Sequence, residues 1–230
     1  LVYGVNFASP AQLAAVGYPL NRWGGNRTTR YNWQLDVDNS AADWFFTNYT
    51  GEDDPPNLPA GSSADLFLRD SRAARAEVVL TLPTIGRVAG PDRLRRWGFS
   101  QTLYGPQLQD ECDLAPPDWC NPDAGNGRCT LDANPLHCDA TGHIVGNDVD
   151  HTTVPVSPAF TRDWAAFAAS RVGPSSRGGV RYFALDNEPM LWDSTHRDVH
   201  PAPATYDDVW QRGRDRALAI KAVEPDAQIF

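Results

Sequence analysis

The feature that most constrains the fold of this chain is a repeated alternation of short apolar runs with segments of helical periodicity. The clearest apolar run covers residues 78–82, and its continuous aliphatic side chains are typical of a strand buried on both faces. The clearest helical segment covers residues 158–172, where Trp164, Ala168 and Val172 recur on one face and Gly173 follows. Strands that alternate with helices predict a parallel sheet.

Four βα units and the start of a fifth can be placed along the chain. We predict strands at 2–7, 20–24, 78–82, 181–186 and 228–230, and helices after Ser9, at 64–76, at 158–172 and from about Thr205. No Gly-x-Gly-x-x-Gly follows the first strand, which disfavours a doubly wound dinucleotide-binding sheet. The prediction is therefore an α/β protein with a (β/α)8 TIM-like barrel, of which residues 1–230 supply the N-terminal half as one domain.

The charge of the chain limits its partners. With 20 basic and 29 acidic residues, the formal net charge is −9. Nucleic-acid binders need a basic face for the phosphates, so we predict no nucleic-acid partner. No run of about 20 apolar residues is present, so we predict no membrane partner either.

All four cysteines fall within a long segment at about 83–157, which we interpret as a loop insertion in the barrel. They are Cys112, Cys120, Cys129 and Cys138. No Cys-x-x-Cys pair occurs among them, which disfavours a zinc site. An even number of clustered cysteines predicts two disulfides, with three pairings open. Disulfides form in oxidising compartments, so we predict a secreted or periplasmic protein.

The candidate catalytic residue is Glu188. Active sites of parallel barrels lie at the carboxyl ends of the strands. Of the five glutamates, only Glu188 follows the end of a predicted strand. The others lie in loops or before strands: Glu52, Glu77, Glu111 and Glu224. The apolar segment 182–185 would desolvate Glu188 and raise its pKa, as a general acid requires. The amide of Asn187 can donate a hydrogen bond to a substrate hydroxyl.

Two motifs resemble a known family. Asn187-Glu188-Pro189 after the fourth strand resembles the acid/base motif of the large clan of retaining glycosidases built on (β/α)8 barrels. The longer stretches Arg-Trp-Gly-Gly-Asn-Arg-Thr-Thr-Arg-Tyr-Asn-Trp at 22–33 and Leu-Asp-Asn-Glu-Pro-Met-Leu-Trp at 185–192 resemble glycoside hydrolase family 44. Thr195-His196 and His200-Pro201, after the second stretch, belong to the same resemblance.

The resemblance implies a retaining endo-β-1,4-glucanase that hydrolyses cellulosic glucan or xyloglucan by double displacement. Glu188 is then the acid/base, and the nucleophile is a glutamate beyond residue 230. We therefore expect the 230-residue chain alone to be inactive and the full-length protein to be a monomer. The predicted substrate-binding residues are Arg22, Trp23, Asn26, Trp33, Asn187, Trp192 and His196.

Two alternatives to a glucanase remain open at this point. One is a non-catalytic half-barrel that stacks sugars on Trp23, Trp33 and Trp192; the other is an enzyme of the same clan that acts on mannan or xylan. We predict no cofactor and no catalytic metal. His196 and His200 have a helical metal-ligand spacing, but Pro201 disfavours a helix there. The segment with Asp123, Asn126, Asp132 and Asp139 has the residue types that bind Ca²⁺ without EF-hand spacing, so structural Ca²⁺ is an alternative.

Overall fold

A computed structural model describes residues 4–51 and 55–230 as an α/β fold built on a parallel sheet. The strands in chain order are β1 (Gly4–Asn6), β2 (Leu20–Trp23), β3 (Val37–Asn39), β4 (Asn48–Thr50), β5 (Glu77–Leu82), β6 (Arg87–Ala89), β7 (Thr153–Pro155), β8 (Tyr182–Leu185) and β9 (Gln228–Ile229). Five of them form the main sheet in the order β1-β2-β5-β8-β9, and every neighbouring pair is parallel. The sheet follows chain order without a reversal.

Helices connect the strands of the main sheet. They are α1 (Pro10–Val16), α2 (Ser63–Ala73), α3 (Gln101–Tyr104), α4 (Pro158–Val172), α5 (Trp192–Thr195) and α6 (Tyr206–Lys221). Along the chain, α1 contacts α2, α2 contacts α4 and α4 contacts α6. Within the part of the chain that the structure describes, none of these helices is long and apolar enough to cross a membrane.

The predicted strands of the main sheet and the helices between them are confirmed, with ends that differ by at most three residues. The first strand is observed from Gly4, and Val2 and Tyr3 lie outside the described residues. Helix α1 begins with a capping box of Ser9 and Gln12 and ends at Gly17, whose left-handed backbone closes the last turn. Helix α4 has the predicted bounds, and Ser157 caps its first turn.

The main core lies between the sheet and the helices. Trp164 of α4 is fully buried, and it packs with Leu80 of β5, Phe183 of β8, Leu68 of α2 and Ile220 of α6 in one cluster. The continuous apolar run of β5 is thereby explained, because five of its six residues are buried.

Two antiparallel strand pairs were not predicted. One pairs β3 with β4 in the segment 25–62, which the sequence presents as a polar loop. The other pairs β6 with β7 and joins the two ends of the predicted insertion. Each of these strands has only three residues, which is too short for a period-two pattern of apolar and polar side chains to be recognised.

The segment between β6 and β7 contains two disulfides and a small core of its own. Cys112 is bonded to Cys120 and Cys129 to Cys138, so the structure selects one of the three pairings that the sequence left open. The second disulfide is buried in an apolar cluster that also contains Phe46, Phe99, Tyr104 and Ile144. The segment is therefore packed and cross-linked.

We expect the native protein to have no free thiols. Both disulfides join cysteines whose backbones already lie close together, with Cα–Cα distances of 5.0 and 5.8 Å. Titration of the denatured, unreduced 230-residue chain with a thiol reagent should therefore give zero, and the same sample after reduction should give four. Four free thiols before reduction would contradict both the pairing and the predicted oxidising compartment.

Candidate active site

The carboxyl ends of β2, β5 and β8 bring several predicted site residues to one edge of the main sheet. Arg22 lies in β2, and Asn26 begins the 3₁₀ helix that follows that strand. Asn187 and Glu188 follow β8 directly. Because the strands are parallel, their carboxyl ends meet at the same edge, where the sequence places the site.

Asn187 connects these residues by hydrogen bonds. Its Oδ1 accepts a hydrogen bond from Nη2 of Arg22 at 2.8 Å. Its Nδ2 donates to Oδ1 of Asn26 at 3.3 Å and to Oε2 of Glu188 at 3.1 Å. The Arg22 contact settles which end of the Asn187 amide carries the NH₂ group, since guanidinium only donates. Four of the predicted residues therefore form one connected cluster.

Glu188 is held in an unusual backbone conformation. Its φ angle is +49°, and that of Asp186 is +70°, so two non-glycine residues adopt the left-handed region within one turn. Such backbones cost on the order of 1–3 kcal/mol each and occur most often at functional sites. The turn projects the Glu188 side chain out of the sheet, where it is exposed. The expected desolvation of Glu188 by 182–185 is therefore wrong for the described chain, because its side chain is exposed.

Asp186 anchors this turn, and sequence analysis missed it. Its buried carboxylate accepts hydrogen bonds from Oγ1 of Thr29 at 2.6 Å, from the backbone N–H groups of Thr84 and Ile85, and from the N–H of Asn187. Burial raises the pKa of Asp186, and these hydrogen bonds oppose that rise. The residue therefore joins the ends of β5 and β8 to the 3₁₀ helix after β2.

Two cavities adjoin the cluster and share Asp43, whose carboxylate accepts a hydrogen bond from Nδ2 of Asn26 at 3.0 Å. One cavity, of about 390 Å³, is lined by Trp23, Asn26, Asp43 and neighbouring residues. The other, of about 540 Å³, lies between Trp44 and residues of the disulfide-containing segment. Both volumes are in the range of ligand pockets. Thr29 and Asp186 lie within the two stretches that resemble family 44 but were not singled out as site residues, and Asp43 lies outside both stretches.

The predicted aromatic platforms are in different environments. Trp23 is buried against Phe7 and Tyr31 but contributes to the wall of the 390 Å³ cavity. Trp33 packs on Phe160 and Phe167 in the main core. Trp192 is fully buried. Neither Trp33 nor Trp192 has an exposed ring face, so the structure does not support their predicted stacking on sugars.

The position of His196 also does not support its predicted contact with a substrate. It is fully buried, and both of its ring nitrogens lack a hydrogen-bond partner among the described residues. Burial, and then the nearby charges of Arg30 and His200, hold the pKa of His196 well below its usual range. The structure therefore places His196 in the protein interior.

The described residues contain no group of three or more histidine, cysteine or acidic side chains placed to bind a metal ion. The Nδ1 atom of His200 contacts the carbonyl of Ala202, so it does not join His196 in a metal site. In the loop considered for Ca²⁺, the carboxylate of Asp123 accepts a hydrogen bond from the backbone N–H of Thr102 in α3. That of Asp139 accepts from the N–H groups of Thr141 and His143 and stabilises its own turn.

Comparison with known proteins matches the chain to one enzyme family and to a solved structure. Residues 37–230 match the model of glycoside hydrolase family 44. The crystal structure of CelM2, a bifunctional glucanase-xylanase protein from a metagenome library, aligns with a TM-score of 0.85 and 39% identity, over 99% of this chain and 41% of CelM2.

Two curated relatives match at lower identity. Endoglucanase A of Paenibacillus lautus is 28% identical over 91% of this chain and 27% of its own length. Beta-mannanase/endoglucanase A of Caldicellulosiruptor saccharolyticus is 26% identical over 100% of this chain and 15% of its own length. The chain therefore spans less than half the length of each of these relatives.

Proposed function

The chain belongs to glycoside hydrolase family 44, and on that premise we propose that it is the N-terminal part of the catalytic domain of a retaining endo-β-1,4-glucanase. Its substrate is cellulosic glucan or xyloglucan. The observation that carries the proposal is the cluster of Arg22, Asn187 and Glu188 at the carboxyl edge of the sheet. A carboxyl group beside a fixed amide donor suits acid/base work on a sugar with hydroxyl groups.

The strand order supports a (β/α)8 barrel as the complete domain. Strands that follow chain order, with helices that contact one another in the same order, suit a closing barrel, whereas a doubly wound sheet reverses its order. Strand β9 pairs with β8 alone among the described strands. Beside it lies an apolar surface of Trp210, Ile229 and Phe230, on which the next βα unit would pack. On this proposal, the paired strands β6 and β7 lie at the two ends of an insertion at about 83–157.

The proposed chemistry needs two carboxyl groups. Glu188 protonates the glycosidic oxygen as the leaving group departs, and later takes a proton from the water that releases the sugar. A second glutamate, beyond residue 230, attacks the anomeric carbon to form the glycosyl-enzyme. Nδ2 of Asn187 donates to Asn26 and to Glu188, so it donates to a sugar hydroxyl at the bond to be cleaved by exchanging one of these two hydrogen bonds.

The relatives support a second substrate class. One is named a beta-mannanase/endoglucanase and another a bifunctional glucanase-xylanase, so mannan and xylan are the alternative substrates. No comparable observation favours the non-catalytic alternative, because Trp33 and Trp192 are buried. The two disulfides support a secreted or periplasmic location, since cytosolic proteins rarely keep disulfides.

An activity panel tests the proposal. The complete protein should hydrolyse carboxymethyl-cellulose and xyloglucan internally, so viscosity should fall faster than reducing ends accumulate. Proton NMR in the first minutes should show β-anomeric product before mutarotation, as retention requires. Initial α-product would contradict double displacement, and activity on mannan or xylan alone would move the assignment to the second substrate class.

A further inference from the structure

An aromatic cluster on the disulfide-containing segment is not used by the proposed chemistry. Trp119 lies in the loop closed by the bond between Cys112 and Cys120, and 48% of its surface is exposed. The ring of Tyr49 is stacked nearly parallel to it, with centroids 6.3 Å apart. The ring of Trp44 lies 5.9 Å from that of Trp119. Three aromatic rings from two distant parts of the chain therefore lie side by side.

A buried carboxylate holds these rings in place. Glu111 is fully buried, and its Oε1 accepts hydrogen bonds from Nε1 of Trp44 at 2.6 Å and from the hydroxyl of Tyr49 at 3.1 Å. Arg95 forms an ion pair with the same carboxylate, and its guanidinium lies 4.7 Å from the ring centre of Trp119. Burying a carboxylate is costly unless it is fully paired. Here the pairing fixes the positions of all three rings.

The disulfide fixes the same loop at its two ends. Glu111 precedes Cys112, and Trp119 precedes Cys120. The backbone N–H of Asn121, just after the loop, donates to Oε2 of Glu111 at 2.8 Å. An exposed aromatic ring that is already immobilised loses little conformational entropy on binding a ligand.

The cluster is continuous with the candidate active site. Trp44 follows Asp43, which is hydrogen bonded to Asn26 and lines both cavities beside the site. Trp44 itself lines the 540 Å³ cavity. Beyond it, Tyr49 and Trp119 line a further cavity of about 230 Å³. The path from Glu188 outward therefore runs along Asn26 and Asp43 to the aromatic rings.

We propose that Trp119, supported by Trp44, Tyr49 and Glu111, forms an outer binding surface for the chain of a β-1,4-linked glucan. This inference rests on the proposed function and adds to it a preference for long substrates. The flat faces of glucose rings carry C–H groups, which pack on exposed aromatic faces. The hydroxyl group of Thr50, which lines the 230 Å³ cavity, is suited to a hydrogen bond with a hydroxyl group of the sugar.

Trp119→Ala in the complete enzyme tests the proposal. We expect KM for xyloglucan or carboxymethyl-cellulose to rise roughly 3–10-fold with little change in kcat, as loss of one aromatic contact implies. The rise should be smaller for short cello-oligosaccharides that do not reach the outer surface. Trp119→Tyr, which keeps an aromatic face, should restore most of the affinity. Tyr206→Ala removes an aromatic side chain that is 96% exposed elsewhere, and it should behave as wild type.

Binding should be measured separately from hydrolysis, by retardation of the protein in native gels that contain each polysaccharide. Weaker retardation of Trp119→Ala than of Tyr206→Ala would support the outer surface. Equal retardation and equal KM values for wild type and Trp119→Ala would overturn it, while leaving hydrolysis and the role of Glu188 intact. A wild-type protein that neither binds nor hydrolyses any β-1,4-glucan would overturn the proposed function as well.

Discussion

Glu188→Gln in the complete enzyme is expected to lower kcat on polysaccharide by roughly 10²–10⁴-fold. Glutamine keeps the shape of the side chain but cannot transfer a proton. A sugar hydroxyl is a poor leaving group, so the first step depends strongly on that proton. An aryl glycoside with an activated phenol needs no such help, so its first step should be affected far less. The measurement is kcat/KM for both substrates, which reports the first step and not the later release of the sugar by water.

A matched control separates the role of Glu188 from a general effect of the substitution. Glu77 is an exposed glutamate at the amino end of β5, at the opposite edge of the sheet. Glu77→Gln should therefore leave both rates within about twofold of wild type, as surface substitutions usually do. Equal losses on the two substrates in Glu188→Gln would indicate a structural role for Glu188 or the role of nucleophile.

Asp186→Ala should produce the largest loss of stability among the site residues. Its carboxylate accepts hydrogen bonds from Thr29, Thr84, Ile85 and Asn187 in a buried position. Alanine would leave these donors without their acceptor, and removing one partner from a buried charged network costs about 3–5 kcal/mol. Urea unfolding should therefore show a free energy of unfolding lower by that amount.

Asp186→Asn is the matched variant, since asparagine keeps one acceptor oxygen and the volume of the side chain. We expect it to lose less stability than alanine but to lose activity, because Asn187 and Glu188 would shift with the turn. Displacements of about 1 Å in a site can cost on the order of 10²-fold in rate. A loss below about 1 kcal/mol in Asp186→Ala would show that the turn is held by other contacts.

Some of the fold was accessible from local sequence patterns, and some was not. The buried run of β5 and the capping residues of α1 and α4 are local signals, so the parallel sheet and its helices could be predicted. The β3–β4 and β6–β7 strand pairs could not be predicted. Their strands have only three residues each; β6 and β7 are distant in sequence, and β3 and β4 lie in a polar segment. The disulfides join cysteines only 8 and 9 residues apart, yet spacing alone left three pairings open.

Part of the candidate site could likewise be predicted from the sequence, and part could not. Arg22, Asn26, Asn187 and Glu188 lie at or shortly after the carboxyl ends of strands, so their convergence at one edge follows from parallel pairing. The roles of the buried acceptors, Asp186 and Glu111, were missed because their donors, apart from the N–H of Asn187, lie 10 to 157 residues away along the chain. Trp33 and Trp192 were predicted to stack on sugars because the sequence alone does not show whether a tryptophan is buried.

The most direct test of the account is the product that Glu188→Gln forms with an activated β-aryl glycoside in the presence of azide. Azide needs no general base, so it should attack the glycosyl-enzyme, restore turnover and give a glycosyl azide of β configuration, as double displacement with retention requires. Proton NMR of the product distinguishes the anomers. A β-glycosyl azide with restored turnover is the predicted result. No rescue by azide, or an α-glycosyl azide, would contradict the assignment of Glu188 as the acid/base of a retaining enzyme.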